Sequence, residues 1–250
     1  MKQIFQQFGG AIAFYTCLPL PPTWTLDFER IARWAPLVGL CLGTSLGLID
    51  YALAYLQMPV LTRSALEVGL WIGLTGGLHL DGAIDTADGL AVMDPDQRLR
   101  VMADSQTGAF GVMAGTIIVL LKLCALSELS HFRLPILVTA TVWGRMAQVM
   151  AISTYPYLKS EGKGAFHTQN FQGSRDFWPG VFGLVATALY QYYWPPVTGQ
   201  RVVWGILSGS SLALGVSYWF YRQFQGMTGD VYGAIVEWTE ALILCSWTLM

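Results

Sequence analysis

The stretch GAFGVMAGTIIVLLKLCALSELS, residues 108–130, carries only Lys122 and Glu128 as charged side chains. A helix rises 1.5 Å per residue, so about 20 apolar residues cross the ~30 Å hydrocarbon core of a bilayer. This run is therefore read as a membrane-spanning helix. Six further apolar runs of about that length lie near 34–56, 62–78, 134–155, 178–194, 202–221 and 231–250. Together they predict an all-α, polytopic membrane helical bundle of about seven spans, with six to eight as the range. Arg63 and Glu67 interrupt the second of these runs, and the run at 178–194 is short and aromatic.

Composition agrees. The 250 residues are 54% hydrophobic and 12% charged, with a mean hydropathy of +0.46, whereas an ordinary soluble domain is about 25% charged. No internal repeat or low-complexity linker divides the chain, so residues 1–250 are expected to form a single integral-membrane domain. A formal charge of −2 and the lack of a basic run exclude nucleic acid as a partner and leave the lipid bilayer as the expected surroundings. Cys17, Cys41, Cys124 and Cys245 lack the close spacing of a zinc or redox motif and are expected to be small core residues. FGGAIAFYTCLPLPP, residues 8–22, is too short to span and ends in prolines, which suits an interfacial or re-entrant helix better than a cleaved signal.

Polar segments at 79–107 and 156–177, a shorter one at 223–230 and a charged stretch at 25–33 fall on one side if seven spans alternate. That side collects nine basic residues, Lys2, Arg30, Arg33, Arg98, Arg100, Lys159, Lys163, Arg175 and Arg222, against Arg63, Arg133 and Arg201 opposite. By the positive-inside rule it faces the cytoplasm. Gly39, Gly43 and Gly47 recur on one helix face, and Gly111 with Gly115 repeats the spacing. Small residues so placed allow close helix approach in lipid, either within the bundle or at the contact of a homo-oligomer.

The cytoplasmic side also holds GGLHLDGAIDTADGL, residues 76–90. Asp81, Asp85 and Asp88 are spaced i, i+4, i+7 and fall within about 60° of one helix face. Carboxylates so close repel one another, and a hard divalent cation with oxygen ligands relieves that repulsion. Mg²⁺ is commonly held by one or two carboxylates, water and substrate phosphates, so the pattern points to a phosphate-bearing ligand. A solvated acidic turn is the alternative, since Asp-Gly pairs also mark turns. His79 can act as a general base, as a group behind the ligands or as an interfacial histidine. In the amphipathic stretch DPDQRLRVMADSQTGAFG, residues 94–111, Asp94 and Asp96 are expected to cap the helix, and Asp104 and Ser105 to reach back to the first cluster. Arg98 and Arg100 are either phosphate contacts or a solvated face. In QGMTGDVYGAIVEWTEALIL, residues 225–244, Asp230, Glu237 and Glu240 lie near one face. Glutamates in an apolar span must face the bundle interior and meet a cation, and Arg145 and Lys122 are the buried candidates.

GGLHLDGAIDTADGL, RVMADSQTGAFG (100–111) and MTGDVYGAIVEWTE (227–240), with FYTCLP at 14–19, resemble the motif series of the cobalamin synthase family, the adenosylcobinamide-GDP ribazoletransferases. The resemblance covers nearly the whole chain. It implies a multi-pass enzyme of the cell inner membrane that uses Mg²⁺ to join adenosylcobinamide-GDP to α-ribazole or its 5′-phosphate, giving adenosylcobalamin or its 5′-phosphate and GMP. It carries the metal role onto Asp81, Asp85, Asp88 and Asp104. Within that reaction Asp230 or His79 would take the ribazole hydroxyl proton and Asp85 would act at the reacting phosphate. Arg145 and Arg222 would clamp phosphates, and Ser105, Thr228 and Glu237 would contact substrate. The chain departs from the family pattern at Ala103, Gln106 and Cys17, where basic residues are common. Two other readings are weighed. DTADG, residues 85–89, opens like the motif of CDP-alcohol phosphotransferases, but Val92-Met93 replaces the expected alanine-arginine pair. A cation or proton-coupled transporter would line a path with Asp50, Arg145, Glu237 and Glu240, yet the acidic residues are densest in the cytoplasmic segment.

Overall fold

The computed structural model describes residues 2–129, 131–158, 171–193 and 199–250; Lys159 and Lys163, counted above for orientation, lie outside them. Among the described residues the chain is helical, with one isolated bridge, Tyr157 to Met227, in place of any strand. The helices are α1 (Lys2–Tyr15), α2 (Ala35–Tyr55), α3 (Val60–Thr75), α4 (Leu78–Ala91), α5 (Pro95–Val101), α6 (Ala109–Glu128), α7 (Arg133–Thr154), α8 (Trp178–Tyr193), α9 (Gly199–Phe224) and α10 (Gly229–Trp247). Each apolar run read from the sequence is a helix, and the 76–107 segment is a helix, a turn and a shorter helix. Among the described residues four helical stretches are long and apolar enough to cross a membrane: Ile31–Tyr55, Ala109–Glu128, Arg133–Thr154 and Gly199–Phe224. α3 and α8 are 16 residues each, and α10 carries Asp230, Glu237 and Glu240.

α7 is the axis. Almost every residue from Arg133 to Ile152 is buried, against α2, α8, α9 and α10. The outer helices turn large apolar residues outward, among them Tyr51, Ile117, Phe182 and Leu207. In water such a belt would drive aggregation, whereas in lipid it is the ordinary surface. The same geometry corrects the expectation for the cysteines: Cys17, Cys41 and Cys124 are exposed and Cys245 is half-buried. An apolar stretch in a span implies a core position only when its face meets another helix.

The glycine stripe of α2 lies against α7. A Cβ on Gly43 would meet Val138 Cα at 2.7 Å, and one on Gly47 would meet Leu134 Cα at 2.7 Å. The stripe is used inside the bundle. Gly43→Leu is expected to cost about 3 kcal/mol through overpacking, read as a lower thermal midpoint in detergent. Gly73→Leu, with open space around its Cβ, is the control, and equal midpoints for the two would refute the packing role.

Two ion networks lie inside the bundle. Asp50 of α2 pairs with Arg63 Nε at 2.8 Å and Arg133 Nε at 3.1 Å, and Arg133 also reaches Glu67. In the second, Lys122 Nζ donates to Glu237 Oε2 and Glu240 Oε2, each at 2.7 Å, and Arg145 donates to Glu240 Oε1 at 2.6 Å. Lys122 also sits 4.1 Å from the ring centroid of Trp71. Each network holds two acids and two bases, so its formal charge cancels, as burial demands.

Candidate active site

α4 carries the first acidic motif, and its neighbours fix how it is rotated. The chain enters it through Gly76 and Gly77 at φ +60° and +67°, a left-handed pair that ends α3 and reverses direction. On one flank Gly111 and Gly115 of α6 let Ile84 approach closely. On the other, α4 crosses α10 through a glycine from each helix. A Cβ on Gly82 would meet Asp230 O at 2.7 Å, and one on Gly233 would meet His79 O at 2.8 Å. Close contact at this crossing brings the motif of α4 beside the first turn of α10.

The result is a cavity of about 270 Å³. Leu78, His79, Asp81 and Gly82 of α4, Gly229, Asp230 and Tyr232 of α10, Phe14 and Tyr15 of α1, and Gln148 of α7 line it together. Three of the site residues read from the sequence, His79, Asp81 and Asp230, therefore share one space although 151 positions separate His79 from Asp230. Asp81 is exposed and Asp230 half-buried. His79 is 3% exposed, and its ring stacks on Tyr15 with centroids 5.8 Å apart. Burial pushes the Tyr15 phenol up, so it stays protonated and can donate at neutral pH. Among the described lining residues there is no lysine or arginine.

The other site residues have different engagements. Asp88 is buried, and its two oxygens accept from Gly108 N–H and Gly111 N–H at 2.7 Å each. The carboxylate thus caps the amino end of α6, whose own cap position, Gly108, supplies no side chain. Asp88→Ala is expected to cost about 1–2 kcal/mol by freeing those amides; an unchanged thermal midpoint would refute the capping role. Asp85, half-buried, lies on α4 one turn after Asp81. Asp104 and Ser105 are exposed in the turn before α6, where Asp104 Oδ1 accepts from Gln106 N–H at 3.0 Å, and neither lines the cavity. Among the described residues no group of three or more His, Cys, Asp or Glu stands together to hold a metal ion. The expected four-carboxylate cluster is thus not assembled by these side chains alone.

Thr228 caps α10, accepting from Val231 N–H at 3.2 Å. Glu237 and Arg145, expected at substrate, both belong to the Lys122–Glu240 network, and Arg145 is fully buried. Arg222 is near the end of α9 and donates to Tyr218 Oη at 3.1 Å. Arg98 donates to the carbonyls of Val92 and Gln223, and Asp94 caps α5 as its position predicts. Sequence reading missed Tyr15, Gln148 and Tyr232. Gln148, a polar residue in the apolar span 134–155, was the available signal. It also missed Asp176, which pairs with Arg30 and Arg33.

The family model described as cobalamin-5-phosphate synthase matches residues 7–248. The chain belongs to the cobalamin-5-phosphate synthase family. It is 52% identical to the adenosylcobinamide-GDP ribazoletransferase of Trichormus variabilis, over 100% of this chain and 99% of that protein. Proteins of the same name from Thermosynechococcus vestitus and a Synechocystis species are 50% and 47% identical, covering 100% and 97% of this chain and 98% and 94% of theirs. No solved structure matches. Membership in this transferase family of cobalamin synthesis sets aside the CDP-alcohol and transporter readings. It also gives the cavity between α4 and α10 a class of chemistry to be tested against.

Proposed function

We propose that the protein transfers the cobinamide-bearing phosphoryl group of adenosylcobinamide-GDP to α-ribazole or its 5′-phosphate, releasing GMP and giving adenosylcobalamin or its 5′-phosphate. The observation that carries this reading is the meeting of His79 and Asp81 with Asp230 in one cavity, in a chain of this family. We read α2, α3, α6, α7, α8, α9 and α10 as seven spans of the cell inner membrane, with the α4–α5 segment on the cytoplasmic side, supported by the bias of basic residues.

The donor set suits Mg²⁺. The cavity must receive a pyrophosphate, yet its described lining has two carboxylates and neither lysine nor arginine, so a bound cation is needed to offset like charges. Asp81, with Asp85 one turn along α4, would hold the ion through hard oxygen ligands. When bound, it would neutralise charge on the pyrophosphate and position it. Asp104 and Ser105, on the exposed turn, would approach from the solvent side, and Asp88 would act by fixing the amino end of α6. Asp230, half-buried in the cavity wall, would accept the proton of the attacking ribazole hydroxyl, with His79 orienting the acceptor. The bond from that oxygen to phosphorus forms as the bond to the GMP oxygen breaks. Arg222, beyond the cavity lining, would meet outer phosphate oxygens, while Arg145 and Glu237 would brace α10 from within.

The test is GMP release from purified membranes carrying the protein, given Mg²⁺, adenosylcobinamide-GDP and α-ribazole. Release that stops with a chelator and returns with Mg²⁺ is expected. Absence of GMP with either acceptor form would overturn the reading.

A further inference from the structure

Gln148 and Tyr232 are 4% and 1% exposed, and both line the cavity between α4 and α10. Gln148 Oε1 and Tyr232 Oη nonetheless have no hydrogen-bond partner among the described residues. Buried polar atoms without partners are uncommon in native structures and call for an explanation. Here the side chains that carry these atoms line a space large enough for a ligand.

The surroundings define what that ligand is. Gln148 is held by its other end, Nε2 donating to Tyr15 Oη at 3.4 Å. The ring of Tyr15 is braced by His79, and that of Tyr232 by Tyr157, stacked with centroids 6.1 Å apart. Phe14 packs edge-on against Tyr15. The site thus combines fixed aromatic rings with an amide and a phenol hydroxyl, a combination that favours a flat ring with a hydrogen-bonding edge over an aliphatic or purely ionic ligand. Its volume of about 270 Å³ is near the lower limit of small-molecule sites and suits a ring with its sugar, not a corrin macrocycle.

We infer that the Gln148–Tyr232–Tyr15 wall seats the heteroaromatic base of a nucleoside, with Gln148 and Tyr232 bonding to its ring edge. The inference rests on the proposed reaction for its choice of nucleosides: both substrates contain one, guanosine in the GDP moiety and the riboside α-ribazole. The corrin remains outside the cavity, and the reacting phosphate lies toward Asp81 and Asp230. Gln148 and Tyr232 are then binding residues that set specificity.

Gln148→Met keeps approximate volume without the amide, and Tyr232→Phe removes only a hydroxyl that has no partner among the described residues. Calorimetric titration of the detergent-purified full chain with GDP and, separately, with α-ribazole is the test, alongside the thermal midpoint of the unliganded protein. Both variants are expected to weaken binding of one nucleoside about tenfold while the midpoint holds or rises. In turnover, KM for the matching substrate should rise with kcat nearly unchanged. Weakened GDP binding assigns the wall to guanine, and weakened ribazole binding assigns it to benzimidazole. Unaltered binding of both ligands, loss only in step with a lower midpoint, or a wild type that binds neither ligand would overturn the inference. Wild-type binding without GMP release would instead sink the proposed reaction and leave the nucleoside site standing.

Discussion

Asp230→Asn is expected to lower GMP release by about a thousandfold while the protein still inserts and folds. The side chain lines the cavity from the first turn of α10, and the backbone beside it is held by the close approach of Gly82. An amide of the same shape preserves that packing but cannot accept the hydroxyl proton. Loss of a general base costs about 10²–10⁴ in rate. Asp81→Asn should fall comparably for a different reason, because it removes a hard ligand and a unit of negative charge facing the pyrophosphate. The two are separable by titration. Activity of Asp81→Asn should recover partly as Mg²⁺ is raised, whereas Asp230→Asn should stay inactive at every Mg²⁺ concentration. Turnover within about threefold of wild type for either variant would remove that residue from the chemistry.

Glu240→Ala is expected to destabilise the bundle by about 3–5 kcal/mol, the usual cost of leaving a buried charge uncompensated. Glu240 is fully buried and accepts from both Arg145 and Lys122. Its loss leaves two cations against Glu237 alone. The double variant Arg145→Met with Glu240→Gln restores the balance, since Lys122 keeps Glu237, and should regain most of the lost stability. Thermal midpoints of the single and double variants in detergent, set out as a mutant cycle, measure this coupling. Strictly additive losses would show that the network is not a unit.

Much of this was legible in the sequence because bilayers impose few choices on a chain. The all-helical fold, the pairing of Glu237 and Glu240 with Lys122 and Arg145, and the packing use of the α2 glycines follow from the cost of charge and of unsatisfied backbone in lipid. Motifs around Asp81, Asp104 and Asp230 pointed to the family before any fold was known, and the family match agrees. The aspartates could not be told apart by spacing. Asp81 and Asp88 share a helix face, yet one borders the cavity and the other caps α6.

Sequence by itself thus determined the helices, the acids that need partners and the class of enzyme. Tertiary structure alone decided which side chains share a cavity: Asp81 and His79 with Asp230, and Gln148 and Tyr232 beside them. The physical reason is that helical periodicity fixes angles between side chains of one helix, but not the rotation of one helix against another. That rotation is set where backbones touch, at Gly82 against Asp230 and Gly233 against His79, and the touching residues lie too far apart in sequence for any local pattern to register them.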